Sequence, residues 1–257
     1  MPGELPISHF MKQRIPYTQD YFKLQGKSSL LSAEEIIPII LKMVKPKSVV
    51  DVGCGVGAWL SVFQKNGIKD IFGIDGEYVD VKMLLIPENK FLGFDLSRSL
   101  QINSIFDLVI SLEVAEHIAP QKANTFVESL TRLGPVIIFS AAIPSQSGEG
   151  HVNEQWPVYW EGKFKRRGYV QIDCIRNKIW QNDKVDWWYA QNTFVYVRKS
   201  RLKNYSKLEK VYKSRNGSIV SIVHPKCYLN IVNNYPKSIR SLSKRLFKRI
   251  FEKISGN

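Results

Sequence analysis

Four side chains able to bind a metal or move a proton fall in two short segments. Glu113, Glu116 and His117 stand at i, i+3 and i+4, and His151 follows in Gly150-His-Val-Asn-Glu-Gln-Trp-Pro. If the chain turns helical at the first segment, its three side chains share one face. Two carboxylates and two imidazoles make a mixed hard and borderline donor set that suits Mg²⁺, Mn²⁺ or Fe²⁺, whereas zinc usually prefers fewer ligands. The same residues have a plainer use. The Glu-His pair would then cap and pack a helix, Glu113 would sit near a cofactor, and His151 would touch substrate or act as a general base.

A second pattern is Asp51-x-Gly53-x-Gly55-x-Gly57, which ends the apolar run Ser48–Val52 and opens the helical stretch 58–64. Glycines at this spacing let a ligand lie against the backbone and allow positive φ. The free N–H groups of the following helix suit an anionic group. The loop therefore reads as a cofactor loop. Alone it also fits the dinucleotide fingerprint G-x-G-x-x-G/A, with Asp75 about twenty residues on.

These residues need a frame. Short apolar segments at 48–52, 71–74, 91–94, 106–112 and 135–140 alternate with helical stretches, and 169–174 and 193–197 follow. Such alternation predicts an α/β fold with a parallel, doubly wound sheet. A helix is expected to open at Ser32-Ala-Glu-Glu, with Ser32 as its cap and Ile36, Ile37, Ile39, Ile40 and Met43 buried. Another is expected over 154–167, a strand over 218–223, and an amphipathic helix over 237–254 that carries a basic face. Tyr17, Tyr21 and Phe22 are possible anchors for the N-terminal extension. The domain reading is an extension at 1–32, a cofactor-binding domain at 33–199 and a basic extension at 200–257.

In this order, with Asp95-Leu96 after the third strand, the motifs resemble the class I S-adenosylmethionine-dependent methyltransferases over roughly residues 20–198. The resemblance implies a Rossmann-like, seven-stranded, mostly parallel sheet with one antiparallel strand at 193–197 and helices on both faces. It implies S-adenosylmethionine as cofactor, bound through Asp51, Gly53, Gly55, Gly57, Asp75, Asp95 and Leu96. The loop would hold the methionine end, Asp75 the ribose hydroxyls, and Asp95 would face the adenine amino group. The segment Glu113-x-x-Glu116-His117 with distal His151 is similar to the metal site of small-RNA 3′-terminal 2′-O-methyltransferases, and to ubiquinone-pathway O-methyltransferases. That likeness implies Glu113, Glu116, His117 and His151 as ligands of Mg²⁺ or Mn²⁺, with the metal holding substrate hydroxyls. Segments 139–144, 151–160 and 187–192 resemble a bacterial and viral methyltransferase group often found beside surface-glycan genes. This points to a carbohydrate hydroxyl as methyl acceptor, with some of Trp156, Tyr159, Trp160, Trp187, Trp188 and Tyr189 stacking on sugar and most of them core.

Charge and cysteines narrow the alternatives. Of the formal +14, residues 200–257 carry +12, so the first 199 residues are nearly neutral. RNA 2′-O-methylation is the rival activity that the basic tail suggests, although no RNA-binding module is recognisable. A membrane-associated, non-enzymatic scaffold is the other, and 237–254 would give it peripheral contact with an anionic surface. The helix docking on its own domain or a partner is the plainer reading. The sequence shows no apolar run long enough to span a membrane and no secretory leader. Cys54, Cys174 and Cys227 are too few for a disulfide framework, so a cytoplasmic setting is expected. Oligomeric state is not legible.

Overall fold

The computed structural model describes residues 19–214 and 220–233, with side chains from residue 28 onward. Seven strands alternate with helices: β1 (Ser48–Val52), β2 (Asp70–Asp75), β3 (Phe91–Gly93), β4 (Leu108–Leu112), β5 (Val136–Ser140), β6 (Tyr169–Ile172) and β7 (Phe194–Arg198). They form one sheet in the order β3-β2-β1-β4-β5-β7-β6. The pairs among β1 to β5 are parallel, while β7 runs antiparallel to β5 and to β6. Strand order reverses on either side of β1, so the crevice between β1 and β4 is a topological switch point, where open α/β sheets bind ligands.

Burial on both faces explains why these strands are nearly unbroken apolar runs. Val49, Leu108, Ile110, Val136 and Ile138 point into one core with α1 (Gln19–Val44) and α2 (Ala58–Lys65). Val50, Val109, Ile137 and Phe139 alternate into the other, under α3 (Ala123–Leu133) and α4 (Pro157–Lys165). Phe139 packs edge-on to Phe164 with ring centres 5.3 Å apart, and Phe164 stacks on Tyr196 at 3.9 Å.

Several local expectations change. Helix α1 does not start at Ser32 but runs from Gln19, and Pro38 is inside it. Ser32 is fully buried, and its hydroxyl accepts the Asp186 amide N–H at 3.0 Å, so a tertiary partner takes the oxygen that a cap would use. Helix α4 begins at Pro157 rather than 154, because residues 151–156 remain a loop held by other contacts. A proline at the first helical position suits that start. Residues 220–223 form no strand, and 225–233 form a helix instead.

Three short helices, α5 (Arg176–Ile179), α6 (Trp187–Asn192) and α7 (Ser206–Lys213), complete the elements between β6 and residue 214. Leu202, Leu208 and Cys227 are buried, so the beginning of the basic extension packs against the domain. Arg176 donates to the Val220 carbonyl at 3.0 Å, and the His224 amide donates to the Gln191 side chain at 2.8 Å. The expected helix over 237–254, and the side chains of Tyr17, Tyr21 and Phe22, lie outside the described residues. Among the described residues no helix is long and apolar enough to cross a membrane.

Candidate active site

A cavity of about 680 Å³ opens at the carboxyl edge of the sheet. Gly53, Gly55, Asp75, Asp95 and Leu96 form one side of it, and Glu113 and His117 form the other. Asp51 and Gly57 lie behind this wall. Asp51 is buried on β1, where burial first and the neighbouring Asp75 charge second push its carboxyl well above the usual range.

The glycines differ in what they permit. Gly53 has φ +90°, and a Cβ there would sit 2.2 Å from Val114 Cγ2, so any side chain collides with the strand β4 exit. Gly55 also has positive φ, but a Cβ there would meet nothing within 4 Å. Gly55 is thus where the loop leaves room for a ligand to approach the backbone. Behind it, Gly57 precedes α2 with no side-chain cap, which leaves the first helical N–H groups without a local acceptor.

Asp75, at the end of β2, ties this side together. Its Oδ2 accepts the Gly55 N–H at 2.6 Å, and its Oδ1 accepts the Gly76 N–H and the Tyr78 hydroxyl, each at 2.6 Å. Burial still raises its pKa, because desolvation outweighs those three bonds. Asp95 is exposed and accepts the Ser97 N–H at 2.9 Å; the Ser97 side chain first, and this N–H second, hold its carboxyl below the usual range. Trp59 and Tyr189 meet edge-on at 5.2 Å over the cavity, and the Tyr189 hydroxyl reaches Ser29 of α1 at 3.2 Å.

The opposite side is built from the β4 exit and the loop after β5. Glu113 adopts φ +55°, an unusual value for a residue with a side chain. Its amide donates to Ser140 Oγ at 3.0 Å. Gln146 Nε2 donates to its carboxylate at 3.0 Å, and Asn192 Nδ2 reaches both oxygens at 3.2 and 3.3 Å. These amides are themselves buried and cross-linked. Gln191 Nε2 donates to Gln146 Oε1 and to Asn192 Oδ1, each at 3.0 Å.

Residues Ala115–His117 then make a single 3₁₀ turn. The carbonyl of Glu116 accepts the amides of Val152 and Asn153, each at 2.9 Å, which docks the distal loop against the turn. The rings of His117 and His151 consequently meet edge-on with centres 4.9 Å apart. One donor atom each from Glu116, His117 and His151 falls within 4.8 Å of the others. Glu113 is beside this trio but outside that distance set, its carboxylate turned into the amide cradle.

Glu116 is fully buried, and neither of its carboxylate oxygens has a hydrogen-bond partner among the described residues. His117 Nδ1 is buried without one as well. Burial, then the nearby Glu113 charge, pushes the Glu116 carboxyl well above the usual range. Burial, then the His151 charge, lowers His117 to about 4, so it is a neutral lone-pair donor at ordinary pH. A buried carboxylate is costly unless paired. Two imidazoles and an unpartnered carboxylate at this spacing can hold a divalent cation such as Mn²⁺ or Fe²⁺, and with Glu113 outside the set the three donors also match the number that a catalytic zinc takes.

Sequence reading did not single out Gln146, Gln191, Asn192 or Glu154. The Trp187–Asn192 segment was noticeable for its aromatics, but its closing amides are the part that reaches Glu113. Of those aromatics, Trp160 and Tyr189 are buried, whereas Trp156 is 40% exposed.

A family model described as a methyltransferase domain matches residues 30–166. Solved structures with the same fold include a sugar N-methyltransferase from a Streptoalloteichus species, 14% identical, with a TM-score of 0.55, covering 77% of this chain and 100% of that one. An amino pentose methyltransferase from Micromonospora echinaspora, solved with bound S-adenosylmethionine, is 14% identical with a TM-score of 0.51, covering 71% of this chain and 98% of its own. An O-methyltransferase family protein from Burkholderia thailandensis is 10% identical with a TM-score of 0.52, covering 72% of this chain and 61% of that one.

Proposed function

The chain belongs to the methyltransferase-domain family and is an S-adenosylmethionine-dependent methyltransferase, and from that premise we propose that it methylates a hydroxyl oxygen of a carbohydrate or related metabolite with help from a divalent metal. One observation carries the reading. Glu116, His117 and His151 form a donor cluster, with Glu116 buried and the two imidazoles half-buried, directly beside the cavity that the glycine loop and Asp75 line.

The cofactor's sulfonium already activates its methyl carbon, so the protein must align oxygen, carbon and sulfur and accept a proton. Gly53 and Gly55 would hold the methionine end against the backbone. Asp75 has one oxygen on the glycine loop and the other on Gly76 and Tyr78, so the group that would meet the ribose hydroxyls also fixes the loop. Asp95 and Leu96 would border the adenine. Glu116, His117 and His151 would hold Mg²⁺ or Mn²⁺, with Glu113 kept alongside by Gln146 and Asn192. When bound, such an ion acts as a Lewis acid that lowers a hydroxyl pKa and templates two adjacent oxygens. Without a metal, His151 would instead act as the general base that takes the hydroxyl proton.

The carbohydrate assignment rests on lighter support. Two fold neighbours act on sugars by name, and Val152 and Trp156 expose apolar surface on the His151 loop, where a sugar face would stack. Methyl transfer from labelled S-adenosylmethionine to a panel of glycans and nucleotide sugars, with and without chelator, tests it. Transfer that is confined to amines or RNA would overturn the acceptor assignment.

A further inference from the structure

Glu154 is absent from every role above, yet its carboxylate joins the loop after β5 to His151. Its Oε2 accepts the Ser145 N–H at 2.8 Å, and its Oε1 accepts the Ser147 N–H at 2.8 Å. The same Oε1 lies 2.9 Å from His151 Nδ1. Ser145 and Ser147 have φ of +68° and +61°, so the loop bends sharply to aim both amides at one carboxylate. Backbone N–H groups converging in this way form an anion-holding nest.

The donors decide the histidine. Both oxygens already accept backbone N–H bonds, and an ionised carboxylate can only accept. The partner at His151 Nδ1 must therefore donate, which places the ring proton on Nδ1 and leaves Nε2 as the ring's one lone pair. Free histidine favours the opposite tautomer, so this state is imposed. Gly148 packs against the same ring: a Cβ built there would lie 2.2 Å from His151 Nε2, 2.4 Å from Cε1 and 2.7 Å from Cδ2, over the face of the imidazole, so the missing side chain lets this loop lie against it.

We propose that Glu154 is a positioning residue that locks His151 as the Nδ1–H tautomer, which leaves Nε2 as the nitrogen that would take a metal ion or an acceptor proton. The inference deepens the methyl-transfer reading at the same site, but its primary readout needs neither cofactor nor metal. Carboxylates that orient metal-binding imidazoles act in this way, and removing them typically weakens metal binding about 10- to 100-fold.

The test is long-range proton–nitrogen correlation on full-length, metal-free protein carrying ¹⁵N-histidine, recorded under mildly alkaline conditions. His151 should show a protonated Nδ1 and a bare Nε2. Glu154→Gln should move the proton toward Nε2, since an amide N–H facing the ring asks Nδ1 to accept. Glu154→Ala should mix the tautomers and weaken Mn²⁺ binding by about 10- to 100-fold. A wild-type ring protonated on Nε2 overturns the proposal, as does a tautomer that both Glu154 variants leave unchanged. If wild type keeps the Nδ1–H tautomer but binds no Mn²⁺, the metal reading falls and the role of Glu154 in fixing the histidine stands.

Discussion

Asp75 and Glu116 are both buried carboxylates at the carboxyl edge, one ending β2 and the other just past β4, on the two sides of β1. Asp75 accepts three short hydrogen bonds from Gly55, Gly76 and Tyr78. Glu116 finds no donor among the described residues for either oxygen. The cofactor side is thus completed by its own backbone, and its acid organises the loop that surrounds it. The opposite side holds Glu113 in an amide cradle but leaves Glu116, whose charge only a proton or a cation would stabilise. In the proposed function, this pairing of a satisfied carboxylate with an unsatisfied one across a single strand would separate the binding of the methyl donor from the activation of the acceptor.

The contrast breaks most sharply if the acceptor side is disabled alone. Glu116→Ala or His117→Ala should lower methyl transfer by roughly 100-fold or more, the scale on which the loss of one preorganised electrostatic group is felt. Affinity for S-adenosylhomocysteine, measured by calorimetry, should stay within a few-fold. Next in size is the reverse experiment. Asp75→Ala removes hydrogen bonds to a charged group worth about 1.5–3 kcal/mol, so cofactor affinity should fall roughly 10- to 150-fold while Mn²⁺ binding persists. Equal losses of both ligands in either variant would mean that the two sides are one cooperative unit.

A pH measurement sharpens the comparison further. His117 titrates at about 4 in the folded chain, against its usual 6.5. Its folded value is depressed, so the unfolded chain binds the proton first as pH falls. The metal-free protein should lose stability through this group from about pH 6.5 down to about 4, with the loss complete below that. Ring shifts of His117 that titrate near 6.5 would contradict the burial that lowers it. The smallest effect is expected at Cys54, which lies in the glycine loop with its thiol pushed well above the usual range by burial first and by Asp51 and Asp75 after it. Cys54→Ala should cost under about 1.5 kcal/mol of stability and leave turnover nearly unchanged, since the thiol is a small loop filler rather than a nucleophile.

Most of the frame was legible because it is written in local patterns. The alternation of apolar strands with helical stretches, and the glycine spacing after Val52, each report on a few consecutive residues. Asp75 was legible for the same reason, at a fixed distance beyond the loop. The amide cradle of Glu113 was not, because Gln146, Gln191 and Asn192 come from two distant segments that only the antiparallel β7 brings beside β5. Ser32 shows the converse error. Its cap pattern is genuine local chemistry, but the Asp186 amide outcompetes it once α1 packs. Glu154 shared its segment with His151, and only the backbone of Ser145 and Ser147 reveals what it holds. The basic charge of the tail likewise says little about 200–213 and 220–233, which pack against the domain through Leu202, Leu208 and Cys227.

The central claim is that a metal-assisted acceptor site stands beside an independent cofactor site. Crystals grown with S-adenosylhomocysteine and Mn²⁺, measured at a wavelength where manganese scatters anomalously, test it most directly. One strong peak is expected within coordination distance of oxygen or nitrogen atoms of Glu116, His117 and His151, with the cofactor product lying along Gly53, Gly55 and Asp75. Bound cofactor product with no anomalous peak at saturating Mn²⁺, together with full activity in excess chelator, would contradict it.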